Sequence, residues 1–247
     1  MKIYVCIDDT DNIESRGTGE LASMLARDVE TKGWGLSSFV TRHQLLVHPE
    51  IPYTSHNSSM CFAADIDETC LSPLISHACL FLERESAEGS DPGLCVAVEE
   101  RLGNREALLD FGRKAKQLVV AQNEAYALAE RLSIHLSAHG GTGHGVIGAL
   151  AGVGLRLGGN DGRMKGGLKI GEVDSVSRVC EICAHPEVDV VRSMDGKALK
   201  GEELVIMGDK AKTVLLDGKS VLLVVPAEGK ADAAPWRTCP RQLLKSY

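Results

Sequence analysis

The first twenty residues constrain the fold more tightly than any other stretch of this chain. Met1-Lys-Ile-Tyr-Val-Cys-Ile7 is an apolar, β-branched run that stops at Asp8-Asp9-Thr10-Asp11-Asn12, and Gly17-Thr18-Gly19 then opens an amphipathic segment. The pattern predicts a strand, an acidic loop and a helix start in one connected unit. Carboxylates crowded at a strand end repel one another, and at close range one is driven toward its protonated form. A divalent cation relieves that repulsion, and hard oxygen donors are the ligands Mg²⁺ takes. Glycines at a helix N-terminus leave backbone N–H groups open to phosphate. Asp8, Asp9 and Asp11 are therefore the expected metal-holding and catalytic carboxylates. Thr10, Arg16, Gly17, Thr18 and Gly19 would surround a phosphate. The competing explanation is local: Asp and Asn bond to nearby backbone in turns, and Asp11 or Ser15 can cap the helix. Three acids within four positions exceed what a turn or a cap needs.

Length allows one large domain or two small ones, since the chain has 247 residues. Only 4% of residues are aromatic, so aliphatic packing must build the core. A formal charge of −7 argues against broad electrostatic binding of nucleic acid, though it leaves room for a local basic face. No segment has the uninterrupted apolar length of a membrane span. The opening apolar run meets Asp8 too soon to be a secretory signal, and the expected compartment is the cytoplasm. Cys6, Cys61, Cys79 and Cys95 sit in apolar runs and read as buried thiols in a reducing environment. Cys180-Glu-Ile-Cys183 is half a zinc motif, with His185 and Cys239 as candidates to complete it.

Hydrophobic periodicity predicts strands at 2–7, 36–47, 58–66 and 94–99, and helices at 18–31 and 70–84. That order, β-α-β-β-α-β, is the ferredoxin-like alternation, an antiparallel sheet with helices on one face. One long helix is expected at 105–134, then the Gly-rich loop Ala138-His-Gly-Gly-Thr-Gly-His-Gly145 and a small-residue helix. From about 168, strand-like runs alternate with Asp195-Gly196, Gly208-Asp209 and Asp217-Gly218, which favour tight hairpin turns. The expected fold class is α+β: a nucleotide-binding, kinase-like domain over 1–165 and a small β-rich domain over 166–247.

Gly143-His-Gly145-Val-Ile-Gly148 satisfies G-x-G-x-x-G, but a dinucleotide fold places that motif in its first βα turn. Here it follows a long helix past the chain midpoint, so a Rossmann assignment fails. The glycines before residue 146 can still bring N–H groups to an anion, which makes Gly141, Gly143, His144 and Gly145 candidates for the far wall of a site. Gly148, Ala149, Ala151 and Gly152 suit close helix packing. Arg42 and the loop His48-Pro-Glu-Ile-Pro-Tyr-Thr-Ser-His-Asn57 supply a third cluster, in which Arg42, His56 and Asn57 are candidates to contact nucleotide. The spacing of His43, His48 and His56 matches no zinc pattern.

These clusters, in this order, resemble the archaeal isoleucine-tRNA agmatinylcytidine synthetase family. Its members open with Ile-Asp-Asp-Thr-Asp, matched by Ile7 to Asp11, followed by a Gly-rich turn matched by Arg16-Gly17-Thr18-Gly19. An Arg-bearing strand and an Asn-Pro-x-Ile/Val-Pro loop are matched by Arg42 and His48-Pro49-Glu50-Ile51-Pro52. Gly-x-Ile-Gly-Ala-Leu-Ala is matched by Gly145 to Ala151. The similarity spans about residues 1–155. The Arg-Gly-Asn that ends the family's proline loop is Ser55-His56-Asn57 here, and one C-x-x-C stands where the family carries a four-Cys zinc ribbon. The resemblance implies ATP and Mg²⁺ as cofactors, and base activation by phosphorylation before an amine attacks. It also implies Thr18 as a phosphoacceptor, and tRNA or a small amine as substrate. The expected activity is Mg²⁺-dependent, ATP-using phosphoryl transfer, kinase- or ligase-like, by a protein free of the membrane and compatible with a homodimer. The alternative is a non-catalytic nucleotide or metabolite sensor.

Overall fold

The computed structural model describes residues 1–51, 57–227 and 234–247. The chain divides into two compact units, Met1–Gly158 and Gly159–Tyr247. Both are mixed α and β, and their strands pair mostly antiparallel.

The first unit is built around β1 (Lys2–Asp8), which is buried from Ile3 to Asp8. It pairs antiparallel with β4 (Ser58–Ile66) on one side and β5 (Gly93–Val98) on the other. Two short strands, β2 (Gly35–Ser37) and β3 (Thr41–Gln44), also pair with β4, and β6 (His135–Ala138) extends the other edge beside β5. All of these pairings are antiparallel. Alternation along β1 sorts its side chains. Ile3, Val5 and Ile7 face helices α1 (Thr18–Thr31) and α2 (Leu71–Glu85). Tyr4 and Cys6 face α3 (Arg105–Ala115), α4 (Gln122–Arg131) and α5 (Gly145–Gly158).

Three expectations need correction. The span 36–47 is not one strand, because β2 ends at Ser37 and β3 begins at Thr41. The helix expected over 105–134 is two helices. It breaks between Lys116 and Ala121, where adjacent β-branched Val119 and Val120 are poor helix formers. Glu124 accepts the Ala121 N–H to start α4. His135–Ala138 then form β6, a strand the periodicity does not predict. Helices cover both faces of the sheet, α1 and α2 on one and α3, α4 and α5 on the other, so the expected placement of helices on one face alone is corrected.

Helix α5 lies unusually close to its neighbours, and its glycines are the reason. A Cβ on Gly152 would stand 2.4 Å from Cys6 Sγ, and one on Gly154 would stand 2.2 Å from the Leu108 carbonyl oxygen. The small-residue face expected from the sequence therefore does pack against both sheet and helix.

In the second unit the paired strands run β7 (Arg163–Met164), β11 (Thr213–Leu216), β12 (Lys219–Pro226), β13 (Trp236–Thr238), β10 (Leu204–Ile206) and β8 (Val176–Arg178). Strand β9 (Val190–Ser193) joins β12 in parallel. A short helix, α6 (Val179–Ile182), interrupts this otherwise β-rich tail. The Asp217-Gly218 turn joins β11 to β12 as a two-residue hairpin, with positive φ at both positions (51° and 71°). All eight cysteines are free thiols.

Candidate functional site

The end of β1 opens into a cleft of about 540 Å³, within the size range of small-molecule sites. Its walls come from one unit, residues 8–148. Asp8, Asp9 and Asp11 line it together with Gly17, Thr18 and Gly19 at the start of α1. His144, Gly145, Ile147 and Gly148 at the start of α5 face the same space. Arg42 and Asn57 complete the polar part.

Asp8 is the last residue of β1 and is 9% exposed. Helix α5 crosses directly over it: a Cβ on Gly148 would fall 1.7 Å from Asp8 Oδ2. Burial, and then the Asp9 charge, push the Asp8 carboxyl up to about 8. Asp9 is pushed up to about 6, by burial first and by Asp91 and Asp11 next. Its backbone adopts the left-handed conformation (φ 49°), uncommon outside glycine, and its carbonyl accepts the Asp91 N–H at 3.0 Å. The crowding inferred from sequence is thus present in the folded chain.

Local capping does not explain these acids. The N-cap of α1 is Gly17, with no side-chain cap. Ser15 instead bonds Asn12, whose Oδ1 accepts the N–H groups of Glu14 and Ser15. Asp11 Oδ1 accepts the Thr18 hydroxyl at 3.1 Å. The helix therefore presents uncapped first-turn amides to the cleft, the arrangement that takes an anion.

Other predicted residues lie elsewhere or have other tasks. Thr10 is fully buried, and its N–H donates to Thr18 Oγ1, so it supports the loop and does not line the cleft. Arg16 turns away to an ion pair with Glu85 on α2. Arg42 faces the cleft while its Nε donates to Ser58 Oγ at 2.9 Å. Asn57 donates to the Leu46 carbonyl at 2.6 Å and accepts from Leu45 at its own carbonyl. His56 lies outside the described residues. Gly141 and Gly143 do not line the cleft: the Gly143 and His144 N–H groups donate to the Asp91 carboxylate, at 2.5 and 3.0 Å. That part of the glycine loop is filled by an internal anion.

Asp91 escapes sequence reasoning because Asp91-Pro92-Gly93 reads as a simple turn. The apolar wall escapes it as well: Leu118, Val119, Val120 and Ala121 line the cleft because the helix breaks there. The adjacent β-branched residues are the available signal. Glu50 and Glu124 add further carboxylates to the lining.

Among the described residues no three His, Cys, Asp or Glu side chains converge as a ready-made ligand set. This holds for Cys180 and Cys183 and for the three aspartates. The three aspartates therefore make no all-protein cage, and a cation there would need ligand oxygens beside one or two of these carboxylates. Among the described residues no helix is long and apolar enough to cross a membrane.

Buried acids at a strand end, two glycine-led helix starts and an aliphatic wall thus meet in one cleft. Comparison with known proteins gives the relationship. Over about two thirds of its length this chain is similar to the isoleucine-tRNA 2-agmatinylcytidine synthetases, TiaS. The TiaS of Archaeoglobus fulgidus is 32% identical over 164 residues, which are 64% of this chain and 36% of that protein. The TiaS of Cenarchaeum symbiosum is 26% identical over 160 residues, 64% of this chain and 34% of its own. Among solved structures, apo TiaS superposes with a TM-score of 0.54 at 28% identity, covering 62% of this chain and 35% of that one. A complex of TiaS with its isoleucine tRNA and ATP gives 0.55 at 29% identity, covering 62% and 36%. No protein-family model matches the chain. The chain spans about a third of the length of the curated relatives it matches.

Proposed function

We propose that the cleft of the first unit binds ATP with Mg²⁺ and transfers a phosphoryl group to an acceptor, in the manner of a kinase-like step. The observation that carries this reading is Asp8: a carboxyl buried at a strand end, forced to about 8 by its surroundings, beside two more aspartates and an uncapped helix N-terminus. A protein keeps such an unfavourable group where a ligand relieves the cost. Relatives whose crystal structures hold ATP or an ATP analogue support the choice of nucleotide.

Asp8 and Asp9 would hold the cation, and Asp11 would fix the loop through its bond to the Thr18 hydroxyl. The cation would supply charge neutralisation on the transferring phosphoryl oxygens. The amides of Thr18 and Gly19 would bind phosphate oxygens, and Arg42 would add a fixed positive charge. The aliphatic wall at Leu118 to Ala121 would exclude water from one side. The acceptor follows the relatives in class: a tRNA base, with a small amine as the second substrate. Residues 1–158 carry 21 Asp and Glu against 13 Lys and Arg. A tRNA would therefore have to be held by local contacts and not by the overall field of this unit. The cytoplasm is the matching compartment, and a homodimer is compatible with this activity.

The test is phosphate release from ATP and Mg²⁺ across tRNAs and amines, with Asp8→Asn in parallel. Turnover in the wild type and its loss in the folded variant are expected. Turnover unchanged by Asp8→Asn removes the assignment. Tight nucleotide binding with no turnover under any condition replaces it with a sensor.

A further inference from the structure

His144 lines the cleft, and its ring is tied from behind. Its Nδ1 is hydrogen-bonded to the Thr142 hydroxyl. The same hydroxyl lies 2.5 Å from Asp91 Oδ2, and Asp91 also takes the backbone N–H groups of Gly143 and His144. Gln122 Nε2 holds the loop from the other side, donating to the Gly143 carbonyl at 2.8 Å. The Asp91 side chain is 14% exposed.

Hydrogen-bond geometry selects which nitrogen of the neutral ring carries the hydrogen. An ionised carboxylate only accepts, so the single Thr142 hydroxyl proton goes to Asp91. The Thr142 oxygen is then left only as an acceptor toward His144. The hydrogen in that bond must belong to Nδ1. A neutral imidazole carrying its proton on Nδ1 has its lone pair on Nε2. We propose that Asp91 and Thr142 lock His144 as the Nδ1–H tautomer, so that Nε2 is the proton acceptor of this cleft.

This assignment deepens the phosphoryl-transfer reading and rests on it only for the step served. There, once a base oxygen carries the γ-phosphoryl group, the amine nitrogen bonds to the adjoining base carbon and its proton passes to Nε2. The bond from that carbon to the phosphorylated oxygen breaks, and the departing phosphate keeps the electron pair. Asp91 and Thr142 are positioning residues, and His144 is the group that meets the substrate.

Two measurements separate the layers. Long-range ¹⁵N–¹H spectra of histidine-labelled protein read the tautomer with no activity required. His144 should be protonated on Nδ1 in the wild type and shift toward Nε2–H, the form favoured by free histidine, in Thr142→Val. An Nε2–H ring in the wild type, or no change in Thr142→Val, overturns the proposal whatever the enzyme does. ATP turnover by His144→Gly should fall at least tenfold and recover with added imidazole. Loss without recovery overturns the proton-accepting role. Absence of turnover in the wild type overturns both that role and the phosphoryl-transfer reading, while the tautomer result stands by itself.

Discussion

Replacing Asp8 by Asn should make the ligand-free protein more stable at neutral pH, although it removes the group on which the proposed chemistry depends. The magnitude follows from the carboxyl's two environments. In the unfolded chain it titrates near 3.8, and in the folded cleft burial and Asp9 raise it to about 8. Between those values the native state holds a proton that the unfolded chain has released. Stability therefore declines as pH rises from about 4 to about 8 and levels off above that. Full linkage puts the deficit at about 4 kcal/mol at pH 7, and side-chain relaxation with water entry lowers it to roughly 2–4 kcal/mol. Asn has nearly the same shape and no charge to desolvate. Asp9, at about 6, adds a smaller deficit of the same sign between about 4 and 6. Urea unfolding at pH 5 and pH 8 measures both. The wild type should lose stability over that interval, most of the loss should vanish in Asp8→Asn, and the variant should melt several degrees higher at pH 8. Equal slopes for the two proteins would mean that Asp8 is solvated in the folded state and that the crowding argument is wrong.

Gly148→Ala tests the close passage of α5 over the acids. The added Cβ would sit 1.7 Å from Asp8 Oδ2, so the helix or the carboxylate must move. A loss of about 1–3 kcal/mol by urea unfolding is expected, with at least tenfold weaker binding of a fluorescent ATP analogue. Retained affinity would detach the cleft from the α5 contact. Arg16→Ala should leave nucleotide affinity unchanged by the same assay, because the side chain pairs with Glu85 outside the cleft. A large drop would return Arg16 to the site.

The strands and helices that can be read from the sequence are those whose signals are local. Helix α1 runs from Thr18 to Thr31 as the spacing of Leu21, Leu25, Ala26 and Val29 requires. Strands β1, β4 and β5 are apolar runs closed by turn residues, and their ends fall within a residue or two of expectation. The failures are longer in reach. The stripe from Leu108 through Leu132 is continuous at helical spacing, but the chain breaks near Leu118 because packing on α5 and the Glu124 bond to Ala121 favour a second start. Periodicity cannot show a break that keeps the same buried face. Strand β6 has only four residues, two of them polar, so nothing in its pattern sets it apart from a loop.

The same division runs through the site. Asp8, Asp9, Asp11 and Gly17 to Gly19 are adjacent in sequence, so their density alone marks them. Asp91 stands 52 residues from Gly143, and its meaning exists only once β5 and β6 pair and bring the turn before Gly93 against the loop after Ala138. A glycine-rich loop before a helix signals a need for an anion. It does not say whether a ligand or the protein supplies that anion. Here two helix starts face one cleft with opposite solutions. At α5 an internal carboxylate already satisfies the loop, which frees His144 for another task. At α1 no side chain caps the first turn, so an incoming phosphate has amides to meet. In the proposed reading that asymmetry divides the labour: the anion would sit at α1, beside Asp8, and proton handling at α5.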